Sequence, residues 1–189
     1  HTSTDYVFAG DEPTPRKEWD HTAPVTAYGK SKELGETLVR QCCTRSFIVR
    51  TAWLYGYVGN NFVKTMCRLA RENAKVKVVN GQFGNPTSAN DLAYHILKLA
   101  QTTNYGTYHC TNEGTCSWYD FTKKIMEFYQ VPCEVTPCTT EEYPTPAKRP
   151  AYSSLDNAML RNTVGNEMRP WEDALKMYME NAKQRGIFA

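Results

Sequence analysis

Apolar positions along this chain fall into two rhythms. Short, nearly continuous runs read as buried strands: TSTDYVF over residues 2–8, SFIVRTAWL over 46–54, VKVVN over 76–80, GTYHC over 106–110 and CEVTP over 133–137. Between them lie longer stretches in which apolar residues return every three or four positions, the spacing of a helix with one buried face. These are residues 27–43, with Leu34, Leu38 and Val39 on one side and charges on the other, then 62–74, 90–101, 117–130 and 170–185. Helix starts carry matching signals: Asn60 and Asn61, Thr87 or Ser88, and Ser117 offer capping oxygens, Pro170 opens the last helix, and Asp156 caps a short one in SSLDNAML.

The order strand, loop, helix, strand over residues 2–54 is a crossover unit, which predicts parallel pairing of its two strands. The loop inside it, GDEPTPRKEWDHTAPVTA, is long and polar, and loops of that length commonly serve function. A second Pro-rich loop lies at EEYPTPAKRPAY, and no internal repeat or low-complexity tract is present.

Composition narrows the class. With 189 residues, 41% hydrophobic and 22% charged, the chain can bury a core as one domain, or one with a small lobe. Lys+Arg 22 against Asp+Glu 20 leaves a formal charge of +2, so there is no field to hold a polyanion and no nucleic acid partner is expected. No run approaches the roughly 18 to 20 apolar residues of a membrane span, and HTSTDYVFAG has neither the basic nor the long apolar region of a signal peptide. A cytoplasmic protein whose seven Cys are free thiols is expected. The four His supply no ligand pairs for zinc.

Tyr28 and Lys32 stand four residues apart at the start of a predicted helix, which puts phenol and ammonium on one face about a turn apart. A neighbouring cation favours phenolate and makes a phenol a better proton source or sink near neutral pH. The spacing alone is common on solvated helix faces, but its setting is not. Thr4 lies at the end of the first strand and Trp53 near the end of the second, and in open parallel sheets ligands bind beyond the carboxyl ends of the strands. Thr4, Tyr28 and Trp53 are therefore expected to face one cleft.

The segments STDYVF, YGKSKELGE, RTAWLYG, NNFVKTM, QFGNPTSANDLA and KRPAYSSLD occur in this order over essentially the whole chain. In them the chain resembles the extended short-chain dehydrogenase/reductase superfamily, and within it the dTDP-4-dehydrorhamnose reductase family. The resemblance implies an α/β fold: a partial Rossmann-like parallel sheet, the C-terminal half of an NAD(P)-binding domain with the catalytic helix, over residues 1–80. A smaller α+β sugar-nucleotide lobe, interleaved with it, takes most of residues 81–189.

The implied activity is reduction of the C4 ketone of dTDP-4-dehydro-L-rhamnose to dTDP-L-rhamnose by NADPH or NADH, for cell-surface polysaccharide. The implied catalytic triad is Thr4, Tyr28 and Lys32. Tyr28 gives the proton to the carbonyl oxygen, Thr4 hydrogen-bonds the same oxygen, and Lys32 tunes Tyr28 and holds the nicotinamide ribose. Tyr28, Lys32 and Thr51 are the expected cofactor contacts, and Thr4, Asp5, Tyr6, Trp53, Asn61 and Arg149 the expected substrate contacts. The plain alternatives are a strand-end cap for Thr4, a helix cap for Asn61, a core indole for Trp53 and an unliganded surface cation for Arg149. Some relatives use Mg2+, but no carboxylate cluster here has the spacing to assign a site.

One departure stands out. Gly56–Gly59 and Gly81–Gly84 lack the third glycine and the strand-to-helix setting of the G-x-x-G-x-x-G turn that holds a cofactor pyrophosphate. The chain, which begins without Met, is therefore expected to be the C-terminal portion of a longer enzyme and nearly inactive alone. Its sheet is expected to have an open edge that invites a homodimer or another chain. Two other readings stay open: a non-catalytic module like the regulatory β subunit of methionine adenosyltransferase, or another nucleotide-sugar reductase or epimerase.

Overall fold

A computed structural model describes residues 1–145 and 149–188. The chain opens with β1 (Thr2–Thr4), much shorter than the apolar run over 2–8 predicts. At Asp5 it tightens into a single 3-10 turn, Asp5–Val7, because the Thr4 hydroxyl accepts from the Tyr6 N–H and draws the backbone out of the strand. The long loop that follows is pinned across the fold. Glu18 Oε1 accepts the N–H groups of His109 and Met159, both at 3.0 Å, and the Arg16 N–H donates to the Ser154 carbonyl.

Helix α1 (Ala27–Cys42) starts at Thr26, whose side chain accepts from the Gly29 N–H. It leads to β2 (Phe47–Thr51) and β3 (Leu54–Tyr55). The single strand expected over 46–54 is broken between them, since Trp53 adopts φ +47, a left-handed conformation that no strand continues. Then come α2 (Phe62–Glu72), β4 (Lys75–Val79), β5 (Phe83–Gly84), β6 (Thr87–Ser88) and α3 (Ala89–Ala100). The chain continues through β7 (Gly106–His109), β8 (Cys116–Ser117), α4 (Trp118–Tyr129) and β9 (Glu134–Cys138). It closes with α5 (Ala158–Thr163) and α6 (Trp171–Gln184). Asn157, not Asp156, occupies the position before α5, and the Asp156 carboxylate instead accepts from Arg161.

The class is α/β, with a parallel Rossmann-like sheet in the order β1-β2-β7. β1 and β2 pair in parallel across α1, as the crossover pattern requires, and β1 stands at the edge of the sheet among the described residues. The pairs β3-β6 and β4-β9 are parallel and β5-β8 is antiparallel. One apolar core gathers Tyr55, Val63, Phe121, Ile125, Leu175 and Tyr178 from β3, α2, α4 and α6. Another joins Val49, Leu92, Leu99, Tyr108 and Leu160 from β2, α3, β7 and α5. All seven cysteines are free, and burial pushes the Cys67 and Cys110 thiols up to about 12. No helix among the described residues is long and apolar enough to cross a membrane.

Helix α1 reverses its expected orientation. Leu34 and Leu38 are 59% and 49% exposed, whereas Gly29 is buried against the 3-10 turn at Tyr6 and Glu36 against the sheet. The burial of Glu36 follows from its partners. Its carboxylate receives Arg50 Nε and Nη2, both at 2.8 Å, and the Ser3 hydroxyl at 2.6 Å. Burial alone would raise the Glu36 carboxyl, but the Arg50 hydrogen bonds and charge, with Ser3, outweigh it and hold it below the usual range. Gly29 is required by contact: a Cβ there would lie 2.1 Å from the Tyr6 carbonyl oxygen, a backbone atom that cannot move aside.

The two helical glycines of α1 should therefore respond oppositely in thermal unfolding. Gly29→Ala is expected to destabilise by more than about 2 kcal/mol, as overpacking against backbone does. At Gly35 a Cβ would meet only the His1 side chain at 3.2 Å, so Gly35→Ala should be neutral or stabilising by up to about 1 kcal/mol through helix propensity. Equal losses at both positions would contradict the packing described.

Candidate active site

The carboxyl ends of β1 and β2 carry Thr4 and Thr51 as direct partners in the parallel register. Thr4 is 5% exposed, and its hydroxyl donates to Asp5 Oδ1 at 2.8 Å while accepting the Tyr6 N–H at 3.3 Å. The strand-end cap is thus its contact within the chain. The Thr51 hydroxyl is buried with no hydrogen-bond partner among the described residues, and so is Asp5 Oδ2. The close approach at Gly29 sets the preceding residue, Tyr28, edge-on to Tyr6, with ring centroids 5.9 Å apart at 76°. The Tyr28 side of this pair is open, with 53% of the residue exposed. Lys32, one turn along α1, donates from Nζ to the Thr2 carbonyl at 2.6 Å.

Charge in this cluster is organised around Asp5. Burial raises its carboxyl to about 6, although the Ser153 and Thr4 hydroxyls pull it down. Burial also raises the Tyr6 phenol, the Asp5 carboxylate adds to that, and the Arg149 guanidinium opposes it. Arg149 therefore faces the Thr4 and Tyr28 cluster electrostatically.

Arg149 also lines a cavity of about 220 Å3 together with Phe62, Lys77, Gln82, Trp118 and Tyr143. Trp118 is backed by Trp53, whose indole stacks on it at 3.5 Å with an interplanar angle of 6°. The left-handed backbone of Trp53 is held by this stack and by Gly84, where a Cβ would sit 2.6 Å from the indole. One indole face of Trp53 is therefore covered by protein. Asn61 caps α2: its Oδ1 accepts the Lys64 N–H and its Nδ2 donates to the Gly56 carbonyl.

The structure brings Thr4, Asp5, Tyr6 and Thr51 to the carboxyl ends of β1 and β2 with Tyr28 packed on Tyr6, and it sets Lys32 on the Thr2 carbonyl at the start of β1; Arg149 reaches this group through its charge on Tyr6, while Trp53 and Asn61 belong to the cavity side. Phe62, Trp118 and Lys77 escaped the sequence reading, and so did the Glu36–Arg50 pair. An aromatic residue opening a helix after Asn61 or Ser117 was the only available signal for the cavity.

A dinucleotide cofactor fits these residues in part. The unpartnered Thr51 hydroxyl at the carboxyl end of β2 and the Lys32 ammonium, bonded to the Thr2 carbonyl at the start of β1, are donors of the kind that hold ribose hydroxyls. Among the described residues no group of three or more His, Cys, Asp or Glu is arranged to hold a metal ion.

A parallel α/β sheet with Y-x-x-x-K on its crossover helix and a threonine at the end of the first strand defines the extended short-chain dehydrogenase/reductase class. The chain belongs to the RmlD substrate binding domain family, whose model matches residues 1–184. It is similar to the spore coat polysaccharide biosynthesis protein SpsK of Bacillus subtilis, 44% identical over 180 residues, covering 95% of this chain and 63% of that protein. It superposes on the crystal structure of a dTDP-4-dehydrorhamnose reductase from Clostridium acetobutylicum with a TM-score of 0.94 and 50% identity, over 96% of this chain and 65% of that one. A dTDP-4-dehydrorhamnose reductase of Bacillus anthracis, in complex with NADP, gives a TM-score of 0.92 and 45% identity over 96% and 64% of the two chains. The chain thus spans just under two thirds of the length of these relatives.

The buried Asp5 carboxyl generates a pH prediction. Its folded pKa of about 6 lies above the ordinary 3.8, so the folded state holds the proton more tightly and stability falls as pH rises between the two values. Asp5→Asn removes this loss, on the order of 3 kcal/mol for such a shift. Melting temperatures at pH 4 and pH 7.5 should show the variant gaining on the parent at the higher pH. The comparison cancels the opposite contribution of His109, which burial and the Arg50 charge push down to about 3. A difference independent of pH would contradict the assignment.

Proposed function

We propose that the protein carrying this chain reduces the C4 ketone of a dTDP-linked sugar, dTDP-4-dehydro-L-rhamnose, to the alcohol with NADPH or NADH, in the synthesis of dTDP-L-rhamnose for surface polysaccharide. The observation that carries this reading is an open phenol packed edge-on against Tyr6, beside the turn that Thr4 caps at the end of β1, with a lysine ammonium one turn along the same helix bonded to the Thr2 carbonyl. The likeness to reductases of this name, one of them in complex with NADP, supports it. Residues 1–80 then serve as the C-terminal half of the cofactor domain and residues 81–189 mainly as the sugar-nucleotide lobe. The exposed Leu34 and Leu38 of α1 supply apolar surface for a homodimer.

The chemistry divides among residues as follows. Bound nicotinamide cofactor supplies the hydride. Tyr28, 53% exposed, donates the proton to the carbonyl oxygen. Thr4 turns its hydroxyl from Asp5 to the same oxygen and fixes its position. Lys32 and Thr51 hold the cofactor's ribose side. Asp5 and Tyr6 border the sugar. Arg149, which lines the cavity and acts on Tyr6, grips the diphosphate, so that the nucleotide end lies against Phe62 and Trp118. Trp53 sets the Trp118 platform from behind and borders the sugar with its remaining surface, and Asn61 holds the adjoining turn at Gly56.

Cofactor oxidation by the complete protein with dTDP-4-dehydro-L-rhamnose tests the reading. Tyr28→Phe should lower kcat by about 10²- to 10⁴-fold, the usual worth of a positioned general acid, and leave the melting temperature unchanged. Arg149→Ala should raise KM for the nucleotide sugar by about tenfold or more, as loss of a charged hydrogen bond does. A Tyr28→Phe protein as active as its parent would remove Tyr28 from the mechanism. A parent with no turnover would favour the non-catalytic module.

A further inference from the structure

Tyr28, Lys32 and Glu36 follow one another at four-residue intervals along α1, so they form a single line of side chains drifting slowly around the helix. Two of the three reach the strands. Lys32 bonds the Thr2 carbonyl of β1, and Glu36 accepts Ser3 of β1 and, through two bonds, Arg50 of β2. Ser3 and Arg50 are themselves register partners, one residue before the partners Thr4 and Thr51. Glu36 therefore grips the rung immediately below the one that carries the candidate site. Arg50 extends the grip: its Nη1 reaches the Glu18 carbonyl in the long loop and the His109 ring at the end of β7.

From this geometry we infer that Glu36 and Arg50 are positioning residues, a buried pair that sets the distance and rotation of α1 against β1 and β2 and thereby aims the Tyr28 phenol at the Thr4 hydroxyl. The inference rests on the reductase reading. A fully buried ion pair gives little net stability over an apolar pair of the same size, so stability alone does not explain its presence. Positional error, by contrast, is costly in catalysis, since about 1 Å of misplacement can lower a rate roughly 100-fold.

The test replaces both members at once in the complete protein, Glu36→Leu with Arg50→Met, which avoids leaving one charge buried. The expected result is a folded protein with KM for the nucleotide sugar unchanged and kcat lowered roughly 100-fold. A folded double variant with parental kcat would overturn the inference. Ser3→Ala, which unties Glu36 from β1 and keeps the ion pair, covers the case of a double variant that does not fold: kcat should fall with KM unchanged, and parental kcat would again overturn it. If the parent itself shows no turnover, the reductase reading fails separately. Hydrogen exchange in Ser3→Ala then decides: faster exchange of the α1 amides over 30–34 supports the clamp, and parental exchange rates overturn it.

Discussion

A carboxylate with no solvent-exposed surface must be neutralised where it sits, and Glu36 meets that demand with a two-pronged Arg50 and the Ser3 hydroxyl. Those three residues come from the crossover helix and from both strands it connects. Once they meet, helix and sheet have one mutual arrangement: Leu34 and Leu38 of α1 turn outward, Gly29 comes down on the Tyr6 carbonyl, and Tyr28 is left open beside Tyr6. Removing Glu36 alone would strand the Arg50 guanidinium, a loss on the order of 3 to 5 kcal/mol in comparable buried pairs.

Much of the architecture was legible because element type depends on local rhythm. The helices near 27–42, 62–72, 118–129 and 171–184, their caps at Asn61 and Ser117, and the parallel pairing of the first two strands all follow from periodicity and connection. What periodicity misread was α1, where Leu34 and Leu38 marked an apolar stripe that faces outward. The buried side consists of a glycine and a glutamate, and only the pairing of Glu36 with an arginine far along the chain makes that side stable. The break at Trp53 was equally hidden, since its left-handed backbone depends on Trp118 and Gly84.

At the candidate site the same division holds. Tyr28, Lys32 and Thr4 could be picked out by spacing and by their place at strand and helix ends, and the structure sets Tyr28 against Tyr6, Lys32 on the Thr2 carbonyl and Thr4 against Asp5. The aromatic wall of Phe62 and Trp118 could not be, because those residues approach Arg149 only through the packing of three distant segments. Thr4 shows how the two levels interact. Its hydroxyl caps a backbone turn through Asp5 and Tyr6, so any role toward a carbonyl requires it to exchange the Asp5 carboxylate for the ligand.

That exchange is open to direct observation. A crystal structure of the complete protein with NADP+ and a dTDP-sugar should place the sugar C4 oxygen within hydrogen-bond reach, about 2.6 to 3.2 Å, of both the Tyr28 and the Thr4 hydroxyls, with the nucleotide against Trp118. A complex in which Thr4 keeps its bond to Asp5 and the C4 oxygen lies away from Tyr28 would contradict the account.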